Sequence, residues 1–142
     1  MSEFPLSSYH FLVEWGGTRV GFTDVQGLKL QTDVMEYREG SSPVYIPVKI
    51  PGMQRYANLV LKRGVMREDH EFYEWVQTQT LNKIERRDLV VQVLNEVHEP
   101  ALSYRIRNAW PVALSFSNLN AAKSKFLFER IELAHEGFSL VS

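Results

Sequence analysis

The chain has 142 residues, a formal net charge of −1 and no cysteine. Hydrophobic residues make up 44% and charged residues 23%, as in one soluble globular domain, which is expected to span residues 1–142. The lack of cysteine excludes disulfides, thiolate zinc sites and cysteine nucleophiles. No basic run marks a surface for non-specific nucleic-acid binding. The N-terminus has no signal-peptide pattern and no apolar run is long enough to span a membrane, so cytoplasmic synthesis is expected.

Strand-like patterns cover most of the first 34 residues. Residues 9–15 and 18–23 are rich in aromatic and β-branched side chains, and Gly16 and Gly17 lie between them. Two glycines can adopt the positive φ angles of a tight turn, so this pattern predicts a β-hairpin. Residues 28–34 alternate between apolar and polar side chains, which predicts a third strand.

Residues 37–55 have no strand or helix period, although they are rich in apolar side chains. Pro43, Pro47 and Pro51 each remove a backbone donor and disfavour helix in the residue before them. Loops longer than about 12–15 residues are uncommon in compact domains unless they are functional or disordered. The density of β-branched and aromatic residues argues against disorder. Two interpretations have similar weight: an arm that folds back over its own barrel, or an arm that docks on another chain.

The rest of the chain is predicted to be mostly β-strand. An apolar stripe of Phe72, Trp75 and Val76 predicts one helix over residues 69–80. Trp110 and Pro111 are expected to kink or end a strand, because proline cannot donate to a ladder, and residues 118–124 read as a polar turn. Strands are predicted at residues 56–62, 86–95, 102–107, 112–116 and 126–134, and residues 138–141 are predicted to be the terminal strand or a tail. The fold class is therefore mainly β, an antiparallel β-barrel or sandwich of about eight strands with one flanking α-helix and a long extended loop.

No residue pattern points to catalysis. The four histidines have no metal-binding spacing, and the pairs His98–Glu99 and His135–Glu136 at two strand ends are more typical of solvated turns than of a mixed metal site. The carboxylate pairs Glu68–Asp69 and Glu36–Glu39 are interpreted as helix-start and loop residues, not as acid–base pairs. No phosphate-binding loop or nucleophile motif is present. We therefore predict no enzyme, no catalytic residue, no metal site and no cofactor.

The aromatic residues allow a second interpretation. Trp15, Trp75 and Trp110, together with several phenylalanines, could line a ligand pocket inside a barrel. They lie at core positions of predicted strands and of the helix, so ordinary core packing is the better explanation for most of them.

Several spaced segments together resemble one known family. They occur in the expected order: YHFLVEWGGTRVGFTDVQGL (9–28), VMEYREGSSP (34–43), IPGMQRYANLVLKRGV (50–65), EFYEWV (71–76), ERRDLVVQVLNEVHEP (85–100), RNAWPV (107–112) and IELAHEG (131–137). The chain resembles the tail tube protein family of contractile phage tails and of phage-tail-like extracellular contractile injection systems. The resemblance covers nearly the whole chain and is greatest to the injection-system branch.

This resemblance implies a single tail-tube domain that acts as a structural subunit. Family members form hexameric rings whose sheets join into a continuous inner β-barrel, and the rings stack into a hollow tube that a contracting sheath drives through a target envelope. The implied partners are further copies of the chain, the sheath protein, the baseplate and spike, tube-terminating proteins and lumenal effector cargo. The resemblance implies no catalytic residue and no cofactor, and assembly in a particle that is released extracellularly.

In the family, the segment after the third strand is an extended loop or hairpin that reaches neighbouring subunits. Carried over to this sequence, that role resolves the two interpretations of the arm in favour of docking on another chain. The predicted contact residues are Gly40, Ser41, Ser42, Pro43, Val44, Tyr45, Ile46, Pro47, Val48, Lys49, Ile50, Pro51, Gly52, Met53, Gln54 and Arg55.

Two alternatives remain at this point. A tube-initiating ring protein of the baseplate shares the family signature, although the length of 142 residues without insertions favours the repeated tube subunit. A monomeric ligand-binding β-barrel, from a different class, predicts a monomer in solution and an apolar cavity that holds a ligand.

Overall fold

The computed structural model describes residues 5–17, 21–38, 40–41, 47–81 and 83–141. These residues form nine β-strands, one α-helix and one 3₁₀ helix. In chain order the elements are β1 (Phe11–Glu14), β2 (Phe22–Gln26), β3 (Leu30–Tyr37), β4 (Val48–Tyr56), β5 (Leu59–Gly64), α1 (Glu71–Gln77), the 3₁₀ helix (Thr78–Leu81), β6 (Arg87–Leu94), β7 (Pro100–Phe116), β8 (Phe128–Ala134) and β9 (Phe138–Val141).

The body of the molecule is one antiparallel sheet with the strand order β1-β6-β7-β8-β5-β2. Strand β9 also pairs with β7. Arg107 of β7 also forms backbone hydrogen bonds with Glu136 and Gly137, in the link between β8 and β9. The hydrogen bonding along β7 therefore continues from its pairing with β8 to its pairing with β9. The strands at the two ends of this order, β1 and β2, do not pair with each other within the described ranges, so the sheet does not close into a barrel. The arrangement is sandwich-like. The prediction of a mainly β, antiparallel fold with one helix is confirmed.

The predicted N-terminal hairpin is wrong. β1 pairs with β6 and β2 pairs with β5, so the two strands lie at opposite ends of the sheet. Between them Gly16 has a positive φ of 83°, and the preceding Trp15 is fully buried. The Trp15 ring packs 4.9 Å from the ring of Phe72 in α1, between centroids. Burial of this large side chain against the helix therefore takes the place of a tight turn after β1, and β2 does not return beside β1.

Two proline-containing segments differ from the sequence prediction. Residues 48–55, treated as irregular, belong to strand β4 and pair with β3. Both strands of a two-stranded ribbon are edge strands, which is where proline is tolerated, so Pro51 does not prevent the pairing. Strand β7 also does not end at Pro111, so the two strands predicted on either side of it are one. The other outcome expected there, a kink, agrees with the shift of register in the pairing with β8 between Pro111 and Ala113. That shift is a local irregularity of the kind that re-aims a strand without ending it.

The helix is shorter than the sequence pattern predicts. The α-helical part covers Glu71–Gln77, and Thr78–Leu81 continues as a 3₁₀ helix. The hydroxyl of Thr78 donates to the carbonyl of Trp75 at 2.7 Å, which competes with regular α-helical hydrogen bonding at this end. The strand predicted over residues 56–62 also begins later, at Leu59, because Tyr56 belongs to the preceding strand β4.

The core contains one contiguous cluster of apolar side chains from the sheet and from α1. The indole N–H of Trp75 donates to the carbonyl of Glu85 at 2.9 Å, so this large ring is buried without an unpaired donor. The guanidinium of Arg87 lies 4.7 Å from the Trp75 ring centroid. The buried cluster consists of Val13, Trp15, Leu59, Leu61, Phe72, Trp75, Leu89, Val91, Ile106, Ala109, Ile131 and Leu133.

Arg63 is a charged side chain inside this core, with only 1% of its surface exposed. Its Nε donates to Oε1 of Glu129 at 2.6 Å, and its Nη2 donates to Oδ1 of Asp69 at 3.1 Å. The same Asp69 oxygen accepts from the backbone N–H of Glu71 at the start of α1. The guanidinium also lies 3.9 Å from the Phe72 ring centroid. One arginine therefore links β5, β8 and the helix.

Candidate inter-subunit surface

Strands β3 and β4 form a two-stranded antiparallel ribbon that pairs with no other described strand. Its pairs run from Leu30–Tyr56 at the base to Tyr37–Val48 at the far end. Nearly every residue in both strands is exposed. A two-stranded ribbon is at best marginally stable alone in water, and unpaired strand edges are templates for other strands. We therefore expect this ribbon to gain a partner surface.

The two faces of the far half of the ribbon differ in chemistry. Directly opposed residues of an antiparallel pair share a face, and so do residues two apart along a strand. One face carries four apolar side chains, each between 42% and 61% exposed, which we call the apolar quartet: Met35, Tyr37, Val48 and Ile50. The opposite face carries the cross-strand pair Glu36 and Lys49 at the same level, with Val34 and Pro51 one pair nearer the base. At the level of the quartet, water is therefore a poor environment for the first face and a good one for the charged pair on the second.

The base of the ribbon is fixed to the body. The Tyr56 ring packs against the rings of His135 and Phe138, with centroids 5.9 and 5.1 Å away. Nε of Arg55 and Oδ2 of Asp33 form a cross-strand ion pair of 2.9 Å. This ion pair joins the two strands of the ribbon to each other, so the aromatic contact of Tyr56 is what holds the ribbon to the body. The ribbon therefore has a held base and an uncovered far half.

The segment predicted to contact other subunits runs from Gly40 to Arg55. Gly40 and Ser41 form an exposed turn after β3. Residues 42–46 lie outside the described residues. Pro47 precedes β4, and residues 48–55 belong to β4 in the ribbon. The described part of this segment is exposed apart from half-buried Pro47 and Gly52. Its contact with other subunits stays a prediction at this stage.

The histidines named in the sequence lie in separate surroundings. The His98 ring lies 4.8 Å from the His10 ring between centroids. Nδ1 of His135 accepts from the backbone N–H of Gly137 at 3.0 Å, so its Nε2 carries the proton and donates to the Ala57 carbonyl at 2.8 Å. In the described part of the chain, no group of three or more His, Cys, Asp or Glu side chains is arranged to hold a metal ion.

The carboxylate pairs also have ordinary surroundings. Glu68 is exposed, whereas Asp69 is tied to Arg63 and to the start of α1. Glu36 lies on the exposed ribbon, and Glu39 lies outside the described residues. The Glu68–Asp69 pair therefore contributes one solvated charge and one structural ion pair, not a shared acid–base site.

A cleft lies beside β2 and is also lined by residues of β1, β6 and β7, among them Phe11 and Tyr104. Its volume is ≈ 330 Å³, and both apolar and polar side chains line it. Trp15 and Trp75 pack against each other and do not line this cleft. This arrangement favours core packing over the ligand-pocket interpretation. No helix in the described ranges has both the length and the hydropathy that a membrane crossing requires.

Two turns carry exposed apolar side chains that the sequence interpretation did not single out. Leu119 and Phe126, in the connection from β7 to β8, are each 86% exposed. Val97, in the turn from β6 to β7, is 68% exposed. The available signal was Leu119 within the predicted polar turn of residues 118–124, and Phe126 at the start of the strand predicted over residues 126–134.

Comparisons with known proteins give relatives over almost the whole chain. Residues 7–139 match the family model of the T4-like virus tail tube protein gp19. A chain of the PVC sheath-tube complex of an extracellular contractile injection system, in its extended state, is 26% identical with a TM-score of 0.88, covering 99% of this chain and 93% of that one. A chain of the anti-feeding prophage tube terminating cap is 28% identical with a TM-score of 0.89, covering 100% and 94%.

A more distant structure shares the fold alone. Hcp1 from Flavobacterium johnsoniae is 15% identical with a TM-score of 0.59, covering 93% of this chain and 94% of that one. No curated protein sequence matches the chain significantly. Because one family model accounts for residues 7–139 and the fold agrees with that match, the chain belongs to the family of the T4-like virus tail tube protein gp19, a family of structural tube proteins.

Proposed function

We propose that this tail tube protein builds the inner tube of a contractile injection system. Hexameric rings of the chain stack into a hollow tube, and contraction of a sheath drives that tube and its cargo through a target envelope. The similarity to chains of the PVC sheath-tube complex and of the anti-feeding prophage cap supports this assignment. The sheath, baseplate, spike and terminating proteins are then its partners, and the site of action is a particle released from the cell that makes it.

Ring formation is supported by the free edges of the body. Strands β1, β6, β7 and β9 follow one another in antiparallel pairs, so the outer strands β1 and β9 run in opposite directions. Strand β9 of one copy can therefore lie antiparallel beside β1 of the next and continue the sheet. Such head-to-tail contacts close into a ring when the rotation between copies is right. Closure also removes the free edges, which are sites of aggregation.

The exposed ribbon is the observation that carries the proposal. In the assembled tube the segment Gly40–Arg55 docks on a subunit of a neighbouring ring, and the apolar quartet is buried there. Full burial of one such side chain contributes about 1.5–3 kcal/mol. Every copy in a ring supplies one arm, so a modest contact repeated around the ring gives a stack that resists axial force without covalent links.

The test removes the apolar character of the quartet without touching the body. We expect the double variant Val48→Ser/Ile50→Ser to fold and to form rings, because both residues are exposed. Its rings should stack poorly, since the arm no longer gains by leaving water. Negative-stain microscopy and sedimentation across a concentration series would show rings without long tubes.

The matched control changes the opposite face of the same ribbon at the same level. The variant Glu36→Ser/Lys49→Ser keeps the net charge and should form tubes as the unmodified chain does. If the quartet variant forms tubes at the same concentration as the unmodified chain, the docking role of the arm is wrong. An unmodified chain that stays monomeric at high concentration, even with baseplate ring proteins as templates, contradicts the tube assignment. One ring that never extends would indicate the tube-initiating baseplate protein instead.

A further inference from the structure

The two turns that flank β7 lie at opposite ends of this 17-residue strand, Pro100–Phe116. Residues 95–99 connect β6 to β7, and residues 117–127 connect β7 to β8. The N-terminal segment lies beside the first turn, because the N–H of Leu94 donates to the His10 carbonyl. The start of the connection from β5 to α1 lies beside the second turn, because the N–H of Val65 donates to the Leu127 carbonyl.

The first turn and its neighbours form what we call the acidic tip. Residues 94–101 contain two glutamates, Glu96 and Glu99, both exposed, and no lysine or arginine. Exposed apolar side chains surround them: Val97 is 68%, Leu6 43% and Tyr9 76% exposed. A cavity of ≈ 300 Å³ lies between the N-terminal segment and this turn.

The second turn forms what we call the basic tip. Residues 117–127 contain the exposed Lys123 and Lys125 and no aspartate or glutamate. Leu119 and Phe126, each 86% exposed, belong to the same connection. A cavity of ≈ 620 Å³ lies under it, with Lys62 in its wall. The neighbouring Arg67 and Glu68 are both exposed, but their charges cancel.

Both tips are held in shape by asparagine side chains. Oδ1 of Asn95 accepts from the backbone N–H groups of Val97 and Glu99, each at 3.0 Å. Oδ1 of Asn120 accepts from the N–H of Ala122 at 2.9 Å. Such side-chain turns fix the backbone locally. A tip that is ordered before it binds loses less conformational entropy on docking.

We propose that the acidic tip of each copy docks on the basic tip of a copy in the adjacent ring. This inference rests on the proposed stacking of rings and names a second contact for it. A second copy is the fitting partner because the tips are opposite in charge, combine that charge with exposed apolar surface and lie at opposite ends of one strand. A translation along the line that joins the two tips therefore brings unlike tips together and repeats without limit. Reversed stacking would place like charges together, so the contact also fixes the polarity of the tube.

The test reverses the charge of one tip at a time. Glu96→Lys/Glu99→Lys gives a chain with two basic tips, and Lys123→Glu/Lys125→Glu gives a chain with two acidic tips. Each variant should form rings, but the amount of protein in tubes should fall by roughly ten-fold or more. Preformed rings of the two variants, once mixed, should build tubes in which the two kinds of ring alternate. A single chain that carries all four changes should build tubes by itself, because its two tips are again opposite in charge. Lys83→Glu/Arg86→Glu, at exposed positions outside both tips, makes the same change in net charge as Lys123→Glu/Lys125→Glu; it is the control for that variant and should stack normally.

A second measurement uses the absence of native cysteine. A chain that carries both Val97→Cys and Phe126→Cys should give a ladder of disulfide-linked multimers when assembled tubes are oxidised. Either cysteine alone should give no ladder, because like tips do not meet. Circular dichroism of each variant would confirm that the fold is retained.

The outcomes separate this inference from the function on which it rests. Tip variants that form tubes like the unmodified chain, mixtures that fail to restore tubes, or oxidised tubes without a ladder would overturn the tip contact alone. If neither the unmodified chain nor the control forms rings or tubes, the tube assignment itself fails.

Discussion

Arg63 occupies a position where a charge is costly, and its partners explain why it is tolerated. Glu129, which is 3% exposed, takes the Nε hydrogen bond, Asp69 takes the Nη2 hydrogen bond, and the Phe72 ring faces the guanidinium. Nη1 has no hydrogen-bond partner among the described residues. Such a network fixes the helix relative to the sheet, but it is sensitive to the loss of any one member, because a buried partner is left uncompensated.

We expect Arg63→Met to lower the free energy of unfolding by about 3–5 kcal/mol, because it leaves Glu129 as an unpaired buried carboxylate. The double variant Arg63→Met/Glu129→Leu should regain part of that loss, since it removes the uncompensated charge. Urea denaturation at protein concentrations below the onset of assembly would measure both. A double variant that is less stable than the single one would show that the arginine does not act mainly through this pair.

Trp75 is a second residue whose role is now defined, because it is 1% exposed and its ring lies 5.8 Å from the ring of Trp15 between centroids. Trp75→Ala should lower the free energy of unfolding by about 3–5 kcal/mol, as large aromatic truncations in cores do. Tyr73→Ala, on the same helix at a position that is 54% exposed, is the matched control and should be close to neutral. Equal effects of the two substitutions would contradict the burial of this helix face.

At the scale of elements, the ribbon and the body have different sources of stability. Strands β5 and β8 contribute buried side chains to the core along most of their length. Strands β3 and β4 have backbone pairing and an anchored base, but little apolar burial. Local stability follows such burial, so the ribbon opens at lower free energy than the body does.

We expect hydrogen exchange to separate the two elements. In the unassembled chain, the amides of Leu30–Tyr37 and Val48–Tyr56 should exchange much faster than those of Leu59–Gly64 and Phe128–Ala134. After tube assembly the ribbon amides should become protected, because docking supplies the missing partner, while the body amides should change little. Protection of the ribbon that is equal in both states would contradict arm docking.

The elements also show where sequence reasoning succeeds and where it does not. The alternation in residues 86–95 identified β6 because burial on one face leaves a period of two. The pairing partners of a strand are harder to predict than the strand itself. The glycines after Trp15 are compatible with a hairpin turn as well as with the observed connection, and the Trp15 indole is buried against Phe72 and Trp75, which are distant in the sequence. Prolines misled in β4 because their cost depends on whether the strand is an edge.

At the scale of the whole molecule, the family resemblance identified the class of protein, and the structure locates the surfaces. The arm could be singled out from the sequence because its apolar side chains lack a core period, and its docking on a neighbouring subunit stays a prediction. The apolar quartet could not be singled out, since its members share a face only through the pairing of β3 with β4. The two tips were missed for a different reason: Trp110 and Pro111 were expected to kink or end the strand, and only the structure shows that one strand, Pro100–Phe116, separates the two turns.

The separation of ribbon and body has a consequence for damaged copies. In the proposed tube, a subunit whose ribbon is cut by a protease would keep its folded body and its contacts within the ring, but it would bind the next ring less well. Cellular quality control that recognises unfolded protein would not remove such a copy, because its core is intact. The defect would become visible only as a shorter tube.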